Sequence, residues 1–271
     1  MSKMFAFRFF GETVKISNPL YFMFFILTLF TMSAQGAAEK LPQPLQALQK
    51  QGLEFKGQFD AGPNLHGYVV QYQGQGSTVF LTPDKQHAIV GNLIDSSGNN
   101  LSEPQVEKYV YAPMGKQMWS RLESSRWITV GNEKAPRIVY AFFDPFCPYC
   151  AQFWEKARPW LDSGNVQLRV LLVGILRPES TPRAAAIMMA KDPSKALEDY
   201  ENTHGKTSPS VPDTVNPDVA SALKSNLQLM ENLGSDATPA IYYLNPKGRL
   251  QQQQGVPPDD DTMNTIMGSK P

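Results

Sequence analysis

The chain of 271 residues has two cysteines, three histidines and no excess of charge, with 25 basic and 25 acidic residues. Each shortage removes a class of protein. Balanced charge gives no electrostatic case for nucleic acid. His66, His87 and His204 lie far from the cysteines and lack the close His–His spacing of a four-ligand zinc site, so they read as surface or packing residues. A chain stapled by disulfides carries several cysteines at wide spacing, and this one carries a single close pair. There are no internal repeats, and Gln251–Gln254 is too short for a low-complexity tract. After residue 30 no apolar run is long enough to span a membrane.

Before that point an apolar run, Leu20–Phe30, follows Lys3, Arg8 and Lys15 and precedes the small residues of Ser33–Ala38. Basic, then apolar, then small is the order of a secretory signal. Cleavage is expected near Ala38, and the run falls short of the roughly 20 residues of a comfortable span. An uncleaved anchor is the alternative. Losing residues 1–38 removes those three basic residues and Glu12, which leaves 22 basic and 24 acidic residues and a net charge of −2. About 230 residues remain, enough for one large domain or two ordinary ones. Export places them where disulfides can form.

The mature chain changes pattern twice. Leu41–Gly52 reads as a short helix ending at Gly52; Leu53–Phe59, Gly67–Gln73, Thr78–Thr82 and Ala88–Ile94 read as strands separated by turn signals. Residues 39–97 are thus expected to form a small helix-plus-antiparallel-sheet domain. At about 60 residues it is marginal alone and is expected to bury its apolar surface against a copy of itself. Residues 98–126 suggest a helical linker, interrupted at Pro113 and Gly115. From Trp127 the reading is of a second domain, 127–271. Arg137–Phe143 is a continuous apolar strand, Cys147–Ser163 a helix stopped by Gly164, and Val166–Val173 a strand. A helical insertion of roughly 60 residues follows, at about 175–233. In it Asp192 caps a helix opened by Pro193, and another helix ends at Gly234. Thr238–Gly255 reads as strand, turn and strand around Asn245–Gly248, and a last helix follows. The order is β-α-β, helices, β-β-α.

Chemistry concentrates in Phe142–Trp154, FFDPFCPYCAQFW, which holds Cys147 and Cys150. A Cys-x-x-Cys disulfide closes so short a loop that it stabilises little. The pair therefore reads as chemical, with a purely structural disulfide as the alternative. Cys147 falls at a helix N-terminus, where unpaired N–H groups, the helix dipole and a second thiol at i+3 all favour the thiolate. That makes Cys147 the attacking sulfur in disulfide exchange. Cys150, one turn further in on the same face, then attacks the mixed disulfide and releases the partner. Pro148 suits an early helix position but removes a donor, and no charge lies between the cysteines, so a moderate lowering of the thiol pKa is expected. Among the aromatics, Phe142 and Phe153 read as core and Tyr149 as exposed. Thr238–Pro239 precedes a strand; a cis bond there would present backbone to an extended substrate.

These features together resemble the thioredoxin fold, and the chain from its N-terminal unit onward resembles the DsbC/DsbG family of periplasmic disulfide proteins. The residues carrying the resemblance are DPFCPYCAQFW from Asp144, ARPWLDSG from Ala157 and TPAIYY from Thr238. The lack of further cysteines fits the branch of that family without a second, non-catalytic disulfide. The resemblance implies an α/β (α+β overall) protein with a C-terminal thioredoxin-like domain, a helical linker and a cystatin-like N-terminal dimerisation domain, assembled as a V-shaped homodimer. It implies a redox-active Cys147–Cys150 disulfide with Cys147 as nucleophile and Cys150 resolving. It further implies a cis Pro239, and a substrate-binding surface of Pro148, Tyr149, Thr238 and Pro239. No cofactor or metal is implied. The implied partners are a DsbD-type membrane reductant in the periplasm and exported proteins with mispaired or oxidised cysteines. The implied activities are disulfide isomerisation, reduction of sulfenic acids on lone cysteines and a possible chaperone role. A monomeric DsbA-like dithiol oxidant shares the Cys-Pro-x-Cys pattern, but its usual inner histidine is missing here and the N-terminal unit is extra. A redox-independent holdase using an apolar cleft between protomers is the reading from a different class.

Overall fold

The structure, a computed structural model, describes residues 41–271. The expected leader over residues 1–38 lies outside the described residues. Among the described residues no helix is long and apolar enough to cross a membrane.

Helix α1 (Gln43–Lys50) is followed by Gly52 at a φ of 96°, a left-handed conformation that favours glycine and turns the chain into the first sheet. Strands β1 (Glu54–Asp60), β2 (His66–Tyr72), β3 (Gln75–Leu81) and β4 (Ala88–Val90) pair antiparallel in chain order. The last is shorter than the expected 88–94. Gly91 N–H still bonds β3, to Thr78 O at 3.0 Å, but past it the donors turn elsewhere: Leu93 N–H to Ser102 Oγ at 2.9 Å, and Leu101 N–H to Leu93 O at 2.8 Å.

The expected break at Pro113 and Gly115 does not occur. Helix α2 (Glu103–Val106) runs through a π turn (Glu107–Tyr111) into helix α3 (Ala112–Glu123). In the wide turn Ala112 N–H bonds to Glu107 O, an i to i−5 bond, and Pro113 falls in the first turn of α3, where its missing donor costs nothing. Val106, Val110 and Tyr109 of this helical run cover Val69 and Phe59 of the first sheet. Further along, Glu107 meets Arg249 at 3.3 Å and Gly115 lies against Leu250.

The second sheet contains β5 (Ile128–Gly131), β6 (Arg137–Phe143), β7 (Val166–Leu172), β8 (Ala240–Leu244) and β9 (Leu250–Gln254), in the order β5-β7-β6-β8-β9. Only β6 and β7 are parallel; helix α4 (Pro148–Asp162) makes the crossover between them. Strand β5 was not anticipated: four residues with two buried positions carry too little period to read. The helical stretch before β8 resolves into α5 (Ser180–Met188), α6 (Pro193–Asn202) and α7 (Pro217–Asn232). Asp192 caps α6 by accepting from Lys195 N–H, and Asn216 caps α7 by accepting from Asp218 N–H. Helix α8 (Asp260–Met267) closes the chain.

The apolar run in β6 follows from its central place, with a layer on each face. Val139, Ala141 and Phe143 face one core with Phe153, Trp154, Ala157, Trp160 and Leu161 of α4. Tyr140 and Phe142 face the other, with Leu171, Tyr242, Leu229 and Met230. Each large side chain buried this way contributes on the order of 2 kcal/mol.

Arg137, at the start of β6, ties the C-terminus to the sheet. Its guanidinium donates to the carbonyls of Ile266 at 2.7 Å, Leu244 at 2.8 Å and Thr265 at 2.6 Å. Arg137→Ala leaves three carbonyls without their charged donor and is expected to lower stability by about 3 kcal/mol, read from the urea midpoint at unchanged slope. A midpoint within error of the parent's rejects this role.

Candidate active site

The topology makes the site. Strand β6 ends at Phe143, and β8 runs antiparallel to it with Phe142 opposite Ala240. The residues just before β8, Thr238 and Pro239, therefore lie beside the loop that opens α4. The Thr238–Pro239 bond is cis. Cys147 is the N-cap of α4, with an extended backbone at φ −84° and ψ 112°, and Pro148 occupies the first turn. Its thiol donates to the Thr238 carbonyl at 3.2 Å.

The two sulfurs have opposite surroundings. Cys147 is 5% exposed and Cys150 is fully buried. The Cys147 thiol is lowered to about 6. The largest cause is donation by the Cys150 thiol, opposed by partial burial and helped by Thr238 and by the N–H groups of Cys150 and Tyr149. The shift is set by hydrogen bonds and needs no charged neighbour. The same burial pushes the Cys150 thiol well up, and the neighbouring Cys147 adds to it. The Thr238 hydroxyl is buried and otherwise unpartnered, and it favours both thiolates. Both cysteines are free thiols here.

Of the other expected residues, Tyr149 is 58% exposed and Pro148 is also on the surface, next to the buried Cys147. Phe142 and Phe153 are fully buried. The expected exposure of backbone around the cis bond is narrower than anticipated. The Pro239 carbonyl accepts from Gly255 N–H at 2.8 Å, and the Ala237 carbonyl accepts from the Gln254 amide at 2.6 Å. Only the Thr238 carbonyl is held by a reactive group. His87 pairs with Asp84 at 3.4 Å and His204 with Glu155 at 3.3 Å, all four side chains being exposed.

Sequence reasoning missed the frame around the thiols. Asp144 is fully buried, and its carboxylate accepts from the N–H groups of Phe146 at 2.8 Å, Ile175 at 2.7 Å and Leu176 at 3.0 Å, and from the Ser180 hydroxyl at 2.9 Å. Its carbonyl accepts from Cys147 N–H at 2.9 Å. One carboxylate thus binds the loop before α4 to the loop after β7. Its signal was an acid at the end of an apolar strand, three residues before Cys147. Helix α6 adds two clamps: Tyr200 Oη donates to the Pro145 carbonyl at 2.8 Å, and Trp154 Nε1 donates to Asn202 Oδ1 at 2.7 Å. Nothing in the local sequence marks those partners.

A sheet with one parallel pair, a Cys-x-x-Cys at the helix N-terminus after its central strand, and a cis-proline facing the outer sulfur define a thioredoxin-like thiol–disulfide oxidoreductase. The family model and the sequence relatives agree. A family model described as a thioredoxin-like domain matches residues 126–267. The thiol:disulfide interchange protein DsbG of Escherichia coli (strain K12) is 49% identical over 245 residues, covering 90% of this chain and 98% of that protein. DsbG of Pseudomonas aeruginosa is likewise 49% identical over 245 residues, covering 90% of this chain and 95% of its own. Among solved structures, a periplasmic thioredoxin-like protein from Salmonella enterica serovar Typhimurium is similar at 17% identity and a TM-score of 0.47, covering 56% of this chain and 97% of that one. The chain belongs to the DsbC/DsbG family of thiol:disulfide interchange proteins.

Alkylation reads the thiolate directly. In the reduced protein Cys147 is expected to react first, with a rate that falls as pH drops through about 6, while Cys150 stays unmodified by mass spectrometry. Thr238→Val removes a donor to the thiolate, so the midpoint is expected to rise. An unshifted midpoint in that variant removes Thr238 from the account.

Proposed function

We propose that the chain is an exported disulfide isomerase and reductase in which Cys147 is the nucleophile and Cys150 the resolving thiol. The observation that carries the reading is the contrast between the two sulfurs: an outer thiol lowered to about 6 beside an inner one pushed well up. At pH 7 roughly nine-tenths of Cys147 is thiolate on that value, while Cys150 keeps its proton until a mixed disulfide forms beside it. A stabilised thiolate also favours the reduced over the disulfide state, which suits a protein that must enter its cycle reduced.

Ionisation of Cys147 has a second effect at the cis-proline. The thiol proton is the donor to the Thr238 carbonyl. When that proton leaves, the carbonyl can accept an N–H from an extended substrate lying across Thr238 and Pro239, and the exposed Tyr149 ring flanks the same sulfur. A sulfenic acid on a lone cysteine is a suitable substrate as well: the Cys147 thiolate attacks its sulfur, the S–S bond forms as the S–O bond breaks, hydroxide leaves and is protonated by solvent to water, and Cys150 resolves the resulting mixed disulfide. The periplasm is the compartment that fits the expected leader, and a membrane reductant of the DsbD type would return Cys147 and Cys150 to thiols. Residues 39–97 serve as the dimerisation domain, 98–126 as the linker and 127–271 as the catalytic domain, with its insertion over about 175–233. The exposed Ile89, Val90 and Ile94 at the end of the first sheet support a second copy pairing there. A holdase role would draw on an apolar cleft between the copies and would survive loss of both thiols.

The test uses the cell and two variants. Alkylation trapping in intact cells is expected to find Cys147 and Cys150 mostly reduced, and oxidised once the membrane reductant is deleted. Cys150→Ser is expected to accumulate mixed disulfides with exported proteins, and Cys147→Ser to form none. A mostly oxidised pair with or without the reductant rejects this reading in favour of a dithiol oxidant.

A further inference from the structure

Glu201 is a carboxyl group in the wrong place for a structural residue. It is 4% exposed, and among the described residues no hydrogen bond or ion pair reaches its carboxyl group. A buried acid of this kind is costly unless something uses it. It sits in the last turn of α6, between the two residues that clamp this helix to the active-site loop. On one side Tyr200 holds the Pro145 carbonyl at 2.8 Å, and on the other Asn202 holds the Trp154 indole at 2.7 Å. Two residues on, His204 reaches Glu155 at 3.3 Å. The helix end cannot drift from Cys147 without breaking these contacts.

The charged and titratable groups on the elements packed against α6 are few. Helix α4 presents Cys147 and Cys150 at its start and Glu155, Lys156, Arg158 and Asp162 further along; α5 presents Arg183, and β5 presents none. Glu155 is exposed and paired with His204, Arg158 with Asp162, and Lys156 with the Pro257 carbonyl at 2.9 Å. Arg183 is bound to Ser208 and the Pro209 carbonyl. On α6 itself Lys195 pairs with Asp199 at 3.0 Å on the exposed face. Arg177, over the Phe146 ring at 5.1 Å, and the Asp144 carboxylate also act on the same end of α6 through Tyr200, and among the described residues no cation pairs with Glu201. Burial holds its proton on, and the nearby Cys147 thiolate holds it further, to about 8.

We propose that Glu201 balances charge in the exchange site, its carboxyl staying neutral while Cys147 is a thiolate and giving up its proton when Cys147 enters a disulfide. The inference rests on the reading of Cys147 as nucleophile. In the step concerned, the Cys147 thiolate attacks one sulfur of a disulfide R–S–S–R′. The bond from Cys147 to the R sulfur forms, the R–S–S–R′ bond breaks, and R′S⁻ leaves with the electron pair. Cys147 is oxidised and the R′ sulfur reduced. The negative charge that faced Glu201 departs, so its carboxyl group ionises, and the proton passes through solvent to R′S⁻ to give R′SH. Glu201 touches no reacting atom, so it is a positioning residue acting through the field at Cys147. The coupling is reciprocal, as any linkage between two titrating groups must be.

The test is the reduction potential of the full chain against glutathione from pH 5 to 9, for the parent and Glu201→Gln. Uptake of two protons per disulfide reduced gives twice the potential-versus-pH slope of uptake of one. The parent is expected to keep a slope above the one-proton value from about pH 6 to about pH 8. The variant is expected to fall to the one-proton slope from about pH 6, since only Cys147 titrates there. A measurement on the parent alone guards against misfolding of the variant: the reduced-minus-oxidised infrared spectrum at pH 7 should show a protonated-carboxyl band in the reduced state. Coincident slopes, or a parent spectrum without that band, overturn the proposal. Failure of both proteins to exchange with glutathione at all would instead mean that the nucleophile is misassigned.

Discussion

The site depends on one buried carboxylate. Asp144 has no water to solvate it, so it is tolerated only because four donors converge on it. Those donors come from the loop before α4, the loop after β7 and the first residue of α5. Satisfying the charge therefore fixes the loops against each other, and the Asp144 carbonyl and Cys147 N–H complete the turn into α4. Remove the carboxylate and three backbone N–H groups and the Ser180 hydroxyl lose their acceptor together. The helix N-cap, and with it the position of the outer sulfur, follows from this arrangement.

Two identical side chains three residues apart then behave differently because a single helical turn separates two dielectric environments. The N-cap position gives Cys147 donors from the backbone, from Thr238 and from the inner thiol. One turn in, Cys150 meets the apolar face formed with Phe143, Phe153 and Trp154 and has more burial than donors. A thiolate outside and a thiol inside is the division of labour that exchange chemistry needs, and it costs the protein no charged residue at the motif. Glu201 follows the same logic from the helical insertion: a carboxyl that stays neutral does not oppose the thiolate it faces.

Much of this was legible in residue order. The apolar run over Arg137–Phe143, the Cys-x-x-Cys that follows it, the caps at Asp192 and Gly234, and the turn at Asn245–Gly248 all appear where local pattern put them. These are features decided within a few residues, by period, capping and turn chemistry. Where the reading went astray, a distant partner was responsible. Pro113 and Gly115 did not break their helix because the preceding π turn had already shifted its hydrogen bonds. The strand from Ala88 stopped early because the chain leaves β3 after Gly91, and Ser102, across a loop, takes the Leu93 donor. Strand β5 was missed because four residues gain strand character only by pairing with β7.

By itself the sequence determined the reactive pair, its place at a helix start and the thioredoxin-like order of elements, since each is a local property of spacing and period. Only the tertiary structure decided how far the outer sulfur is lowered and by what. That outcome depends chiefly on donation from Cys150 and, less, on the Thr238 hydroxyl, which the antiparallel pairing of β6 with β8 brings beside Cys147 from 91 residues away. It also depends on burial that no single segment can provide. The frame of Asp144, Ser180, Tyr200 and Asn202, and the isolated carboxyl of Glu201, belong to the same category. Their partners meet only when the helices between β7 and β8 fold back over the active-site loop, and hydrogen bonding and dielectric environment act through space, with no trace in sequence distance.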